Sequence, residues 1–167
     1  MKELKDIEAL LKSNDEDLAQ IAIDSLVEMK EKMVELMLDG LITTTNHSVR
    51  HSLVLAIVDN FKDDRIIPTL KKMINDKNLK TRTGILVYAL GEYSNSVDLL
   101  EFLVDLVLEA DYLPAWNALG ILFSMEPEFD ESLVRTLLKR VERKDILFAD
   151  KILLTHDLKL FLRNQLR

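Results

Sequence analysis

The chain has 167 residues, with 22 Lys and Arg against 29 Asp and Glu, 48% hydrophobic residues and no Cys. That length favours one domain burying about 70% of its unfolded surface without staples, and the missing Cys removes disulfides, thiolate metal sites and a thiol nucleophile. No stretch approaches the roughly 18 apolar residues of a membrane span, and MKELKDIEALLKSNDED lacks the apolar run of a secretory signal, so a cytoplasmic protein with no membrane partner is expected.

Four Gly and three Pro leave long unpunctuated intervals, and within them apolar residues recur at helical spacing, as in Leu18, Ile21, Ala22, Met29, Met33, Leu36 and Met37. The period predicts an all-α fold of about ten helices: 2–12, 15–38, 47–61, 64–75, 79–93, 96–109, 112–125, 129–142, 144–154 and 156–165. Ser13 and Asn14, Asn46, Ser94 and Ser96, and Asp111 each stand where a helix should start. Gly40 is expected to end the second helix, which the apolar phase carries unbroken across Met29, and His156 beside Asp157 is expected to cap the last one.

Short helices joined by tight turns call for a test of self-similarity. Residues 48–80, SVRHSLVLAIVDNFKDDRIIPTLKKMINDKNLK, and 81–113, TRTGILVYALGEYSNSVDLLEFLVDLVLEADYL, repeat with a period of about 33. Val49, Arg50, Ala56 and Ile57 mark a first helix and Pro68, Leu70 and Ile74 a second; Ala89-Leu90-Gly91 and Ala118-Leu119-Gly120 echo the first helix further on. This pattern resembles HEAT repeats, clearest over 47–80, 81–113 and 114–142. The resemblance implies a single domain over 1–167, an α-solenoid of antiparallel helix pairs whose second helices line one surface.

Signatures of catalysis are missing. Gly40, Gly84, Gly91 and Gly120 stand isolated, so no glycine-rich phosphate loop exists, and there is no HExxH, calcium loop or nucleophile elbow. His47 and His51 are four apart on one predicted helix, with Asp59 or Asp63 as the nearest third ligand; two imidazoles at a helix start, solvated or half-buried, account for them more simply. No enzyme activity, cofactor or metal is expected.

Charge placement is the informative feature. Residues 83–134 contain ten acidic residues and no Lys or Arg, whereas 135–167 hold nine basic and four acidic residues. Asp98, Glu101, Asp105 and Glu109 share one helix face; such like-charge spacings cost about 0.2–0.5 kcal/mol per pair, so something must compensate. One reading is a solvated face; the other is a landing site for a cationic partner. The second gains from aromatic residues in the same segment, Tyr88, Tyr93, Tyr112 and the lone Trp116, each of which has core packing as its plain alternative. Direct nucleic-acid binding is not expected, since phosphates need a basic groove, and the basic C-terminal residues are read as balancing the acidic segment.

The stretch TRTGILVYALGEYSNSVDLLEFLVDLVLEADYLPAWNALGIL is similar to HEAT-like immunity proteins of contact-dependent and other polymorphic bacterial toxin systems. That resemblance implies an inhibitor whose cognate partner is a basic toxin, commonly a nuclease domain and an RNase before a DNase. It would place the toxin-facing surface at Tyr93, Asp98, Glu101, Asp105, Glu109, Tyr112, Trp116, Glu128 and Glu131. The alternative is a HEAT-like adaptor or auxiliary subunit that joins other proteins.

Overall fold

Apolar residues at three- and four-residue intervals, with few glycines and prolines to interrupt them, close into ten α-helices and no strand among the described residues. The computed structural model describes residues 2–13, 15–28, 34–61, 64–76, 78–79, 83–93, 97–126, 128–144 and 149–166. Two compact units emerge, 1–76 and 77–167.

The first unit contains α1 (Lys2–Leu11), α2 (Glu16–Glu28), α3 (Val34–Thr43), α4 (His47–Asn60) and α5 (Ile66–Ile74). Residues 29–33, where the continuity of a 15–38 helix would be decided, lie outside the described residues. Helix α2 is started by Asp15, whose Oδ1 accepts from the amides of Asp17 and Leu18 at 3.0 and 3.2 Å; Ser13 instead accepts from the Asp15 amide, and Asn14 is outside the described residues. At α4 the expected cap is present, with Asn46 Oδ1 accepting from Ser48 and Val49.

Gly40 does not end its helix, which runs on to Thr43. It is buried where α3 passes α1 and α4, and a Cβ there would lie 3.4 Å from Leu11 Cδ1 and 3.5 Å from Leu53 Cδ1. The glycine lies in the packed interior of α3, where a methyl would make ordinary contacts, rather than at a stop. Arg50, although charged, is buried with the apolar face of α4, and its guanidinium donates to the carbonyl of Thr44, just past the end of α3. A cation there meets the negative end of the α3 dipole.

Helices α2 and α4 lie side by side and run the same way. One cleft between them pairs Glu16 and Asp17 with Ser48 and Val49, and the next pairs Val27 with Asn60.

The second unit contains α6 (Gly84–Leu90), α7 (Leu100–Glu109), α8 (Tyr112–Ser124), α9 (Glu131–Arg143) and α10 (Ala149–Asn164), with 3-10 turns at Gly91–Tyr93 and Val97–Leu99. Ser94 and Ser96, expected to start a helix, lie outside the described residues. Asp111 stands at the N-cap of α8 in extended conformation without a side-chain cap bond. Helix α8 is central, packing on α6, α7 and α10.

Helices α6 and α8 also run in the same direction. Near the start of α6, Asn117 Nδ2 donates to the Gly84 carbonyl at 3.0 Å, 33 residues away in sequence, and a Cβ on Gly84 would come within 3.1 Å of Leu113. At its far end a Cβ on Gly91 would meet Ile121 Cγ1 at 3.3 Å. The hydrogen bond spans the period of about 33 read from the sequence, and the two glycine contacts fall three to four residues short of it.

At the C-terminus one helix, α10, runs across the expected break between 144–154 and 156–165, so that His156 sits within it rather than at its start; residues 145–148 lie outside the described residues. The polar residues there do not open a new helix because Thr155 Oγ1 donates back to the Lys151 carbonyl at 2.8 Å, inside the same ladder. Leu154, Leu158, Phe161 and Leu162 carry the buried face across that point.

Candidate functional site

The compensation required by the acidic helix comes from α9 and α10. Arg140 Nη2 is 2.6 Å from Asp105 Oδ1, its Nη1 is 3.3 Å from Glu101 Oε1, and Lys144 Nζ is 2.5 Å from Glu109 Oε1. Lys151 Nζ donates to the carbonyls of Leu108 and Ala110, where α7 ends. Carboxylates near a helix C-terminus oppose its dipole, so an ammonium on the terminal carbonyls relieves both the dipole and the like-charge repulsion. Burial pushes the Asp105 carboxyl above its ordinary value; Arg140 pulls it down, while Glu101 and Glu109 push it further up. Burial outweighs the ion pair.

The three carboxylates of α7, Glu101, Asp105 and Glu109, therefore face cations of the same unit, and Asp98, expected on the same helix, falls outside it. Asp98 lies exposed in the 3-10 turn before α7, Glu128 is exposed between α8 and α9, and Glu131 pairs with Arg135 one turn on in α9. At the start of α9, Asp130 accepts from the Ser132 hydroxyl and the Leu133 amide, which hold its carboxyl below the usual range.

The aromatic residues lie elsewhere, on the face made by α6 and α8. Helix α8 carries no charged side chain from Tyr112 to Ser124. It buries Pro114, Ala115, Ala118, Leu119, Ile121 and Leu122 against its neighbours. A helix apolar all round belongs in an interior or at an interface. Its outer stripe is open: Tyr112 is 47%, Trp116 54% and Phe123 57% exposed, and Tyr88 on α6 is 52% exposed. Core packing is thus excluded for Tyr88 and Trp116. The Tyr112 and Trp116 rings stack with centroids 6.1 Å apart, and Phe123 meets Phe161 edge-on at 5.9 Å. Tyr93 is half-buried in the turn after α6.

Between α6 and α8 runs an open groove of about 300 Å³, with Tyr88, Glu92, Trp116 and Asn117 along its sides and Gly91 and Gly120 in its lining. The corresponding groove between α2 and α4, of about 460 Å³, has no aromatic lining residue, and its Gln20 amide is spent on Asp24 at 2.8 Å. The two clefts share a backbone arrangement and differ in chemistry. In the α6–α8 groove exposed aromatic side chains stand beside a carboxylate, Tyr88 and Trp116 with Glu92.

His47 is half-buried and His51 exposed on α4, and Asp63 lies outside the described residues. Among the described residues no group of three or more His, Cys, Asp or Glu is placed to hold a metal ion, and no helix is long and apolar enough to cross a membrane. No family model, curated protein or solved structure matches the chain.

Proposed function

We propose that the chain is a non-catalytic, cytoplasmic immunity protein that neutralises a basic protein toxin of the nuclease class by covering it, on a HEAT-like solenoid of antiparallel helix pairs. The observation that carries the reading is the stripe of Tyr88, Tyr112 and Trp116, open on the α6–α8 face within a segment free of Lys and Arg. Aromatic side chains on a rigid helix supply anchor area with little rotamer entropy to lose. The formal net charge of −7 gives the long-range attraction that speeds encounter with a cationic partner. The bound surface takes in Tyr93 and the exposed acids Glu92, Asp98 and Glu128; Glu101, Asp105 and Glu109 contribute field from within their ion pairs.

The test is to express the toxin domain encoded beside this gene with and without the protein and to follow growth and RNA integrity. Stoichiometric protection is expected. Equal killing and equal RNA degradation in both cases would overturn the proposal.

The adaptor reading draws on a second open apolar stripe, Ile152, Leu153 and Leu160 on α10. An adaptor holds two proteins at once. Co-purification of a second protein, lost on Leu153→Glu and unaffected by Trp116→Ala, would favour it over the inhibitor.

A further inference from the structure

We propose that the α6–α8 groove receives a cationic side chain, an arginine or a lysine presented by the partner protein, between the ring faces of Tyr88 and Trp116 and against the carboxylate of Glu92. The proposal rests on the reading of this face as the partner-binding surface and specifies what enters it.

Three features of the groove select a cation. First, acceptors line it, the Glu92 carboxylate foremost. The Asn117 amide donates to the Gly84 carbonyl and the Ser124 hydroxyl donates to the Ile121 carbonyl at 2.8 Å. Both side chains keep an accepting oxygen for a ligand, beside a carboxylate that only accepts. A ligand rich in donors and poor in acceptors matches that set, and a guanidinium or ammonium is such a ligand. Second, Tyr88 and Trp116 both line the groove and are about half exposed, which leaves aromatic surface available to a cation, Trp being the best of the aromatic partners. No Lys or Arg exists from residue 83 to 134 to fill that role from within the segment.

Third, the groove is kept open by Gly120. A glycine inside a helix is less favourable than alanine by about 0.8–1.0 kcal/mol, and a buried glycine is normally explained by a neighbour pressing on it. Gly120 has no such neighbour: a Cβ there would meet nothing within 4 Å, and the residue is exposed. Its effect is the space it leaves beside Trp116. At about 300 Å³ the groove is at the small end of the roughly 300–1,000 Å³ of small-molecule pockets, suited to one side chain and not to a large ligand.

Trp116 is the chain's one tryptophan, so its fluorescence reports this groove alone. The full-length protein is titrated with the acetylated, amidated peptides Gly-Arg-Gly, Gly-Lys-Gly and Gly-citrulline-Gly, citrulline being the uncharged isostere of arginine. The arginine and lysine peptides are expected to give saturable changes in emission, at least tenfold weaker for citrulline and about threefold weaker for Glu92→Gln or in high salt. Gly120→Leu should abolish the response while melting no lower than the parent, leucine being the better helix former. Citrulline binding as well as arginine, the absence of any response, or an unchanged response in Gly120→Leu would each overturn the cation groove. The same variants are then run in the toxin-protection assay. If the peptides fail while the parent protects and Trp116→Ala does not, the occupant alone is wrong; if the peptides bind as expected while Trp116→Ala protects fully, this groove is not the toxin-binding surface; if the parent itself fails to protect, the inhibitor reading is wrong.

Discussion

Arg140 on α9 sets its Nη2 2.6 Å from Asp105 on α7 and, through Nη1, also reaches Glu101 at 3.3 Å, so one guanidinium serves two carboxylates of a helix that carries no cation of its own. Removing it takes the ion pair from Glu101 and Asp105, one turn apart on α7, while Glu109 keeps Lys144. Arg140→Gln should destabilise the protein by about 0.5–1 kcal/mol at neutral pH, the pair being too exposed for more. The sign with pH follows from Asp105. Its carboxyl is already raised in the folded state, so its contribution to stability is full below the unfolded value and lost as pH rises through the folded one. Loss of Arg140 raises it further. The deficit of Arg140→Gln in urea melts should therefore shrink as the pH is lowered through the carboxylate range, and a deficit that grows on acidification would contradict the assignment.

Asp130 should behave in the opposite sense. Hydrogen bonds from the Ser132 hydroxyl and the Leu133 amide favour its charged form at the N-terminus of α9 and hold its carboxyl low. Its contribution is therefore present above the unfolded carboxylate value and lost as pH falls through the lower folded one. Asp130→Asn keeps a capping oxygen but cannot titrate. Urea midpoints of the parent and this variant should draw together as the pH falls through that window; curves that stay parallel would remove Asp130 from the acid response.

Local features of this fold were legible in the sequence and distant ones were not. The apolar period gave the helices, and Asn46 gave the start of α4, because both depend on neighbours within a turn. Thr155-His156-Asp157 read as a cap because hydroxyl and carboxylate side chains compete for backbone groups, yet the buried stripe of Leu154 and Leu158 kept the helix going. The unrelieved charge on α7 was visible, but its partners lie 35 to 39 residues away, where no spacing rule reaches. For Tyr88 and Trp116 the difficulty was different. Helix α8 is apolar all round, so its sequence does not say which side the neighbours cover, and the structure leaves Tyr112, Trp116 and Phe123 on the open side.

Gly40 tests an interior helical position against a helix stop. A stop would require a glycine-favoured backbone, and alanine there would be strained. In the interior of α3, with Leu11 and Leu53 at ordinary contact distances from an added methyl, Gly40→Ala should stabilise by about 0.5–1 kcal/mol. Gly40→Leu, which drives a larger group toward the same two side chains, should destabilise by about 1–3 kcal/mol. Thermal melts separate the cases, and destabilisation by alanine would restore the stop.

The aromatic stripe makes a prediction that needs no partner and one that does. With Trp116 about half exposed and stacked on Tyr112, its emission in the free protein should be that of a solvent-accessible indole, readily quenched by acrylamide or iodide. Trp116→Ala should change stability by less than about 1 kcal/mol, because truncating a half-exposed ring leaves no cavity of the kind that makes core substitutions costly. Against a bound toxin the same substitution should cost about 2 kcal/mol or more, roughly thirtyfold in Kd, since an aromatic anchor at the centre of an interface carries a disproportionate share of the binding energy. Tyr112→Ala should follow with a smaller loss, as its ring braces Trp116 on one side. The pattern that would sink the assignment is the reverse one: a blue-shifted, protected Trp116 in the free protein, with Trp116→Ala unfolding the chain, would make the stripe part of a buried core and leave the α6–α8 face without a role in binding.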